Sequence, residues 1–219
     1  MSGNLGFDIA HMLAGGMVVV SFMLLYQGRM FALIHAFAIH AALLTMAVAW
    51  QAHLQEAPHL YLTAAMALIL KVIIVPVALH RIVQQLGIHR EIEQVVGAGI
   101  TMLAGLGLTA LAILVVMPVT KGVALITRED IAFALAVVLL GLLMMITRRN
   151  AVSQVIGFMS LENGLILAAA GAKGMPLVVE LSIAFSVLIA IIVFGIVVFR
   201  IRERFDTVDV AALDRFRGE

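Results

Sequence analysis

Long apolar runs separated by short polar stretches dominate the chain. Seven runs reach the roughly 20 apolar residues that a bilayer-spanning helix needs: 7–27, 30–51, 58–80, 95–118, 130–147, 151–172 and 176–199. The pattern predicts an all-α, polytopic membrane protein of about seven transmembrane helices, with short connections that make neighbours antiparallel hairpins. Pro58 and Pro176 fall where helices begin, a position at which the missing N–H costs nothing. Pro118 closes the fourth span. Pro76 lies inside the third and cannot bond the carbonyl of Val72, which predicts a helix break beside Lys71. Such breaks are tolerated at membrane depth where the freed groups find protein or water.

Composition sharpens this reading. The 219 residues are 63% hydrophobic and 12% charged, with a mean hydropathy of +1.15. Soluble domains average roughly 45–50% apolar and 25% charged residues. An ordinary soluble domain, a disordered chain and a nucleic-acid binder are therefore excluded. The chain has no cysteine, so disulfides, thiolate zinc sites and cysteine-held iron–sulfur clusters are excluded too. No metal or other cofactor is expected. The first run lacks a basic leader, Asp8 being the only charge before Arg29. It reads as a mature helix and not as a cleaved signal peptide.

Charge then sets the orientation. Arg29, Arg81, Arg90, Arg148 and Arg149, together with the arginines from Arg200 to Arg217, fall on one side; Lys121, Arg128 and Lys173 fall on the other. Basic loops stay cytoplasmic, so the N-terminus is expected outside and the C-terminus inside. The spans group as a three-helix set over 1–94, a linking helix over 95–125, a second three-helix unit over 126–199 and a cytoplasmic tail over 200–219. The two trios look alike. Each has a polar turn after its first helix (Gln27-Gly28-Arg29 and Arg148-Arg149-Asn150), an ionisable residue midway along its second (His40 and Glu162) and an arginine ending its third (Arg81 and Arg200). They would run in the same direction, as a parallel repeat does; shared apolar composition is the plainer account. Gly97, Thr101 and Gly105 in the fourth span, and Gly157, Gly164 and Gly171 in the sixth, mark close-packing faces.

The candidate chemistry is ionisable and deep. Lys71, Glu162 and His40 each lie roughly 15–20 Å from a helix end, near mid-depth. Charges there are costly and usually face protein or a water path. Three proton-exchanging side chains at one depth suggest a route in the membrane plane. Each also has a structural reading: Lys71 as partner of a carboxylate, Glu162 bonded to Asn163 or a carbonyl, His40 as a satisfied interior histidine. Glu180, about four residues into the seventh span, is either a member of the path or an interfacial carboxylate. A haem held by His35 and His40 has no support, because residues five apart diverge around a helix.

The stretch from Gly141 through Arg148-Arg149-Asn150 to Gly157 and Glu162-Asn163-Gly164 resembles the K subunit of respiratory complex I and the C subunit of multisubunit sodium/proton antiporters. The whole chain resembles the hydrogenase-4 component E family of formate hydrogenlyase-type complexes more closely. Lys71-Val-Ile-Ile-Val-Pro76, Glu162-Asn163-Gly164 and Asp206-Thr-Val-Asp209-Val-Ala-Ala-Leu213 carry that likeness. The resemblance implies that 126–199 is the complex I K-like unit. It also implies a non-catalytic subunit of the cell inner membrane, set between antiporter-like subunits and the anchor of a nickel–iron hydrogenase arm, with the metal clusters in its partners. Two positions depart from the complex I pattern, Met159 and Ser186, where that subunit carries acids. The resemblance points to a proton-translocating, coupling subunit of an oxidoreductase complex. The other readings are a structural spacer and a subunit of a cation/proton antiporter.

Overall fold

The computed structural model of the protein describes residues 2–85, 95–119 and 125–171. The expected seventh span, Glu180, Ser186 and the tail lie outside the described residues. Within them the chain is helical: α1 Ser2–Tyr26, α2 Met30–Leu54, α3 Pro58–Ala67, α4 Val75–Gln85, α5 Ala98–Val119, α6 Leu125–Thr147 and α7 Ala151–Gly171. A π-helical stretch, Leu68–Ile74, joins α3 to α4, so the three pieces form one continuous rod. Six helical segments among the described residues are long and apolar enough to cross a membrane: Leu5–Tyr26, Met30–Leu54, Pro58–Gln84, Ala98–Pro118, Glu129–Thr147 and Ala151–Gly171. The chain is an all-α, polytopic membrane protein, and these ends fall within a few residues of those expected.

Two hairpins, α1–α2 and α6–α7, lie side by side and form the core, with α1 against α6 and α2 against α7. They point the same way. At one end His11 of α1 lies 3.5 Å from Asp130 of α6, and at the other Arg148, after α6, reaches the last carbonyls of α1. Along α2 and α7, His40 meets Asn163, and Gln55 bonds the carbonyl of Ala170 at 2.7 Å. The α3–α4 rod packs on α2, while α5 lies against α6 and α1. Long apolar side chains such as Leu103 and Leu114 of α5 stay exposed, as expected for a helix facing lipid or a partner.

The glycines of the α6–α7 hairpin let backbone touch backbone. A Cβ on Gly141 would sit 2.5 Å from the nitrogen of Leu161, and one on Gly164 would sit 2.9 Å from the carbonyl of Ala134. Gly157 belongs to the same seam, whereas Gly171 has open space around it. Gly105 on α5 faces Phe22, Leu25 and Leu140. Part of the small-residue face on that helix is therefore used inside the chain.

Pro76 does not break its helix. The amide of Val75 bonds the carbonyl of Leu70, five residues back. This wider turn takes up the irregularity one turn before the proline, and the rod carries on. π turns of this kind gather at functional sites. In this one Lys71 is buried, while Leu68, Ile69 and Ile73 remain exposed on the far side.

Candidate functional site

Lys71, Glu162 and His40, drawn from three separate helical elements, meet in one buried polar chain. Lys71 Nζ stands 3.1 Å from a carboxylate oxygen of Glu162 and donates to Asn163 Oδ1 at 2.8 Å. Asn163 Nδ2 lies 3.0 Å from His40 Nδ1. On the other side of the ring, His40 Nε2 is 3.0 Å from Ser21 Oγ, and that hydroxyl donates to the Met17 carbonyl at 2.9 Å. Every member is closed off from the surface, with exposures of 3% or less.

Local structure explains each placement. The π turn directs Lys71 inward from an otherwise exposed stretch. Glu162 and Asn163 are adjacent on α7, so their side chains diverge by about 100° around the helix; both reach Lys71, and Asn163 alone goes on to His40. Gly164, next in sequence, brings α7 against α6. Helical side chains lean toward their own N-terminus, so His40 leans toward the α1–α2 turn. There it meets Ser21, five residues from the end of α1.

A second polar cluster occupies the turn end. Arg148, 2% exposed, donates from one guanidinium nitrogen to the carbonyls of Leu24, Leu25 and Gln27 at 3.1, 2.7 and 2.8 Å. The first two are C-terminal carbonyls of α1 and the third follows its last residue, at the end where the helix dipole favours a cation. Burial pulls the guanidinium below its ordinary pKa. An arginine starts so high that it stays charged. The neighbouring residues finish the corner. Asn150 accepts from the amide of Val152 at 2.8 Å as the N-cap of α7, and Gln154 bonds the Arg148 carbonyl. The Arg-Arg-Asn motif is therefore, in large part, a joint between hairpins.

At the opposite end His11 Nδ1 lies 3.6 Å from Glu129 and 3.5 Å from Asp130. On α7, the buried hydroxyls of Ser153 and Ser160 have no hydrogen-bond partner among the described residues. The hydroxyls of Ser21, Thr45, Thr63, Thr101, Thr109 and Thr147 all bond a carbonyl one turn back. Buried polar groups of this kind are typically satisfied by water. Among the described residues no cluster of three or more histidines or acids could hold a metal.

Sequence reasoning selected Lys71, Glu162 and His40, and the structure brings these three together. It named Asn163 as a partner for Glu162 and as part of the Glu162-Asn163-Gly164 run, without a place in the path, and it missed Ser21 and the buried position of Arg148. An amide beside a buried acid was the available signal for Asn163; Ser21 offered none.

Comparison with known proteins places the chain. It is 31% identical over 206 residues to an uncharacterized protein of Mycobacterium tuberculosis, covering 93% of this chain and 94% of the relative. Over 164 residues it is 30% identical to hydrogenase-4 component E of Escherichia coli and of Shigella flexneri, covering 74% of this chain and 76% of each relative. No family profile and no solved structure matches it. At this identity and coverage, the chain belongs to the hydrogenase-4 component E family.

Proposed function

We propose that the chain is a non-catalytic subunit of a membrane-bound hydrogenase or related complex I-like redox complex, and that its buried polar chain relays protons in the membrane plane. The observation that carries this reading is the run Glu162–Lys71–Asn163–His40 across α7, the π turn and α2. A carboxylate, an amine and an imidazole can each exchange a proton. A lone structural ion pair would need neither the amide nor the histidine beyond it. The resemblance of 141–164 to the complex I K subunit supports the same role. Glu180 is assigned to the path from its place in the sequence.

On this reading the N-terminus lies outside and the C-terminus in the cytoplasm, as the arginine distribution favours. The partners are antiporter-like subunits and the membrane anchor of the redox arm, which hold the metal clusters. The unpaired hydroxyls of Ser153 and Ser160, two turns apart on α7, suit water leading from the Asn150 turn toward Asn163.

The test is proton uptake by vesicles bearing the assembled complex, measured alongside redox turnover. Glu162→Gln should assemble but lose most coupled proton movement, while Glu162→Asp should keep much of it. His40→Ala should have a smaller effect than Glu162→Gln. If Glu162→Gln assembles fully and moves protons like the wild type, the subunit is a spacer.

A further inference from the structure

Asn163 stands between two groups that can each hold a positive charge, and its amide has two unlike ends. The oxygen accepts from Lys71 Nζ at 2.8 Å, and the nitrogen faces His40 Nδ1 at 3.0 Å. An amide nitrogen only donates, so Nδ1 must present its lone pair. The proton of the neutral ring is therefore on Nε2, where it donates to Ser21 Oγ at 3.0 Å. Ser21 passes its own proton to the Met17 carbonyl. Each of these contacts pairs a donor with an acceptor, provided that His40 is neutral.

A protonated His40 breaks that order. Both ring nitrogens then donate, and Nδ1–H points at the amide N–H. Turning the amide by half a rotation offers its oxygen to His40 but presents its nitrogen to Lys71. An ammonium has three donors and no lone pair, so only a neutral amine can accept there. Asn163 and His40 are fully buried and Lys71 is 1% exposed, and a mismatched buried donor costs about 1–3 kcal/mol. Among the described residues, the charged group next to His40 along this chain is Lys71, on the far side of Asn163. From α1 His40 meets Ser21 and from α7 Asn163, while His80 of α4 stacks on Phe31 near the start of α2.

We propose, resting on the relay reading above, that Asn163 is a two-position switch that makes charge on Lys71 and charge on His40 mutually exclusive. The protons balance. In one state Glu162 is a carboxylate, Lys71 an ammonium and His40 neutral. In the other, one proton has been added at His40 Nδ1, the Lys71 proton has passed to the Glu162 oxygen 3.1 Å away, and that new O–H has turned aside so that the single lone pair of the amine takes the amide N–H. Asn163 exchanges no proton. It is a positioning residue that lets the arrival of charge on one side empty the other.

The test is a titration of His40 by ¹⁵N NMR on the assembled complex, the His40 signal being the one absent from His40→Gln. The wild type should show the neutral ring protonated on Nε2; a neutral ring protonated on Nδ1 overturns the proposal without any variant of Asn163. Lys71→Met is then made with Asn163 intact and again with Asn163→Leu. With the amide present, losing Lys71 should raise the proton affinity of His40 by about a hundredfold, and with leucine by about tenfold or less. Equal steps in both backgrounds would sink the switch. Asn163→Met serves the same comparison should the leucine variant fail to fold. Proton uptake by vesicles separates the two ideas. Unequal steps with wild-type uptake in Glu162→Gln leave the switch standing and the relay refuted. Equal steps with uptake still dependent on Lys71 do the reverse.

Discussion

Among the described residues two cations are buried, and they are held in opposite ways. Arg148 ends against the main-chain oxygens of Leu24, Leu25 and Gln27. Lys71 ends against a carboxylate and a side-chain amide. A peptide carbonyl neither gains nor loses a proton near neutral pH, and it is fixed to its helix. Arg148 can therefore do one thing, which is to hold the end of α1 to the start of the second hairpin. The partners of Lys71 can change protonation state or turn. A buried charge alone is thus no mark of function in this bundle; the chemistry of its partner decides.

The sharpest way to break the contrast is Arg148→Met. Two buried carbonyls and a half-buried one lose the charged donor they share, a full bond of this kind being worth about 1.5–3 kcal/mol. The expected loss is about 5 kcal/mol, seen as failure to accumulate folded protein, and Arg148→Lys should recover part of it. A variant melting like the wild type would show that the joint is not needed. Next in size is Lys71→Met, which leaves Glu162 buried without its cation and should cost about 3 kcal/mol. Adding Glu162→Gln should restore thermal stability to within about 1 kcal/mol while proton movement stays lost. No equivalent rescue exists for Arg148, because its partners are backbone. If the double variant is no more stable than Lys71→Met, the two cations are alike after all. The smallest effect is expected from Gly164→Ala. It brings a methyl to 2.8–2.9 Å of Val138 and the Ala134 carbonyl and should cost about 1–3 kcal/mol of stability by parting α6 from α7. A wild-type melting temperature would show that the seam can yield.

Span positions were legible because a bilayer demands length and apolarity, and little else in a sequence meets both. Lys71, Glu162 and His40 stood out for the same reason, since an ionisable group is conspicuous among leucines. Ser21 was not legible. A helical hydroxyl ordinarily bonds back to its own helix, as Ser21 also does, and nothing local distinguishes one that receives a histidine as well. Arg148 was read correctly as a basic residue of a turn, but its burial depends on α1 lying beside α6, a contact that spans more than 120 positions. Pro76 announced an irregularity. That it would become a wide turn upstream, with the rod intact, depends on how α3 and α4 pack against α2.

The Arg148 joint also imposes an order in time. The donor that closes the end of α1 lies 124 residues after Leu24 and 121 after Gln27. At about 5–20 residues per second, synthesis places roughly 6–25 seconds between the carbonyls and the guanidinium that satisfies them. Through that interval the first hairpin lacks the donor that closes the end of α1. It can be joined to the second hairpin only once α6 and the Arg148 turn have been made, which makes that turn the clasp of the bundle.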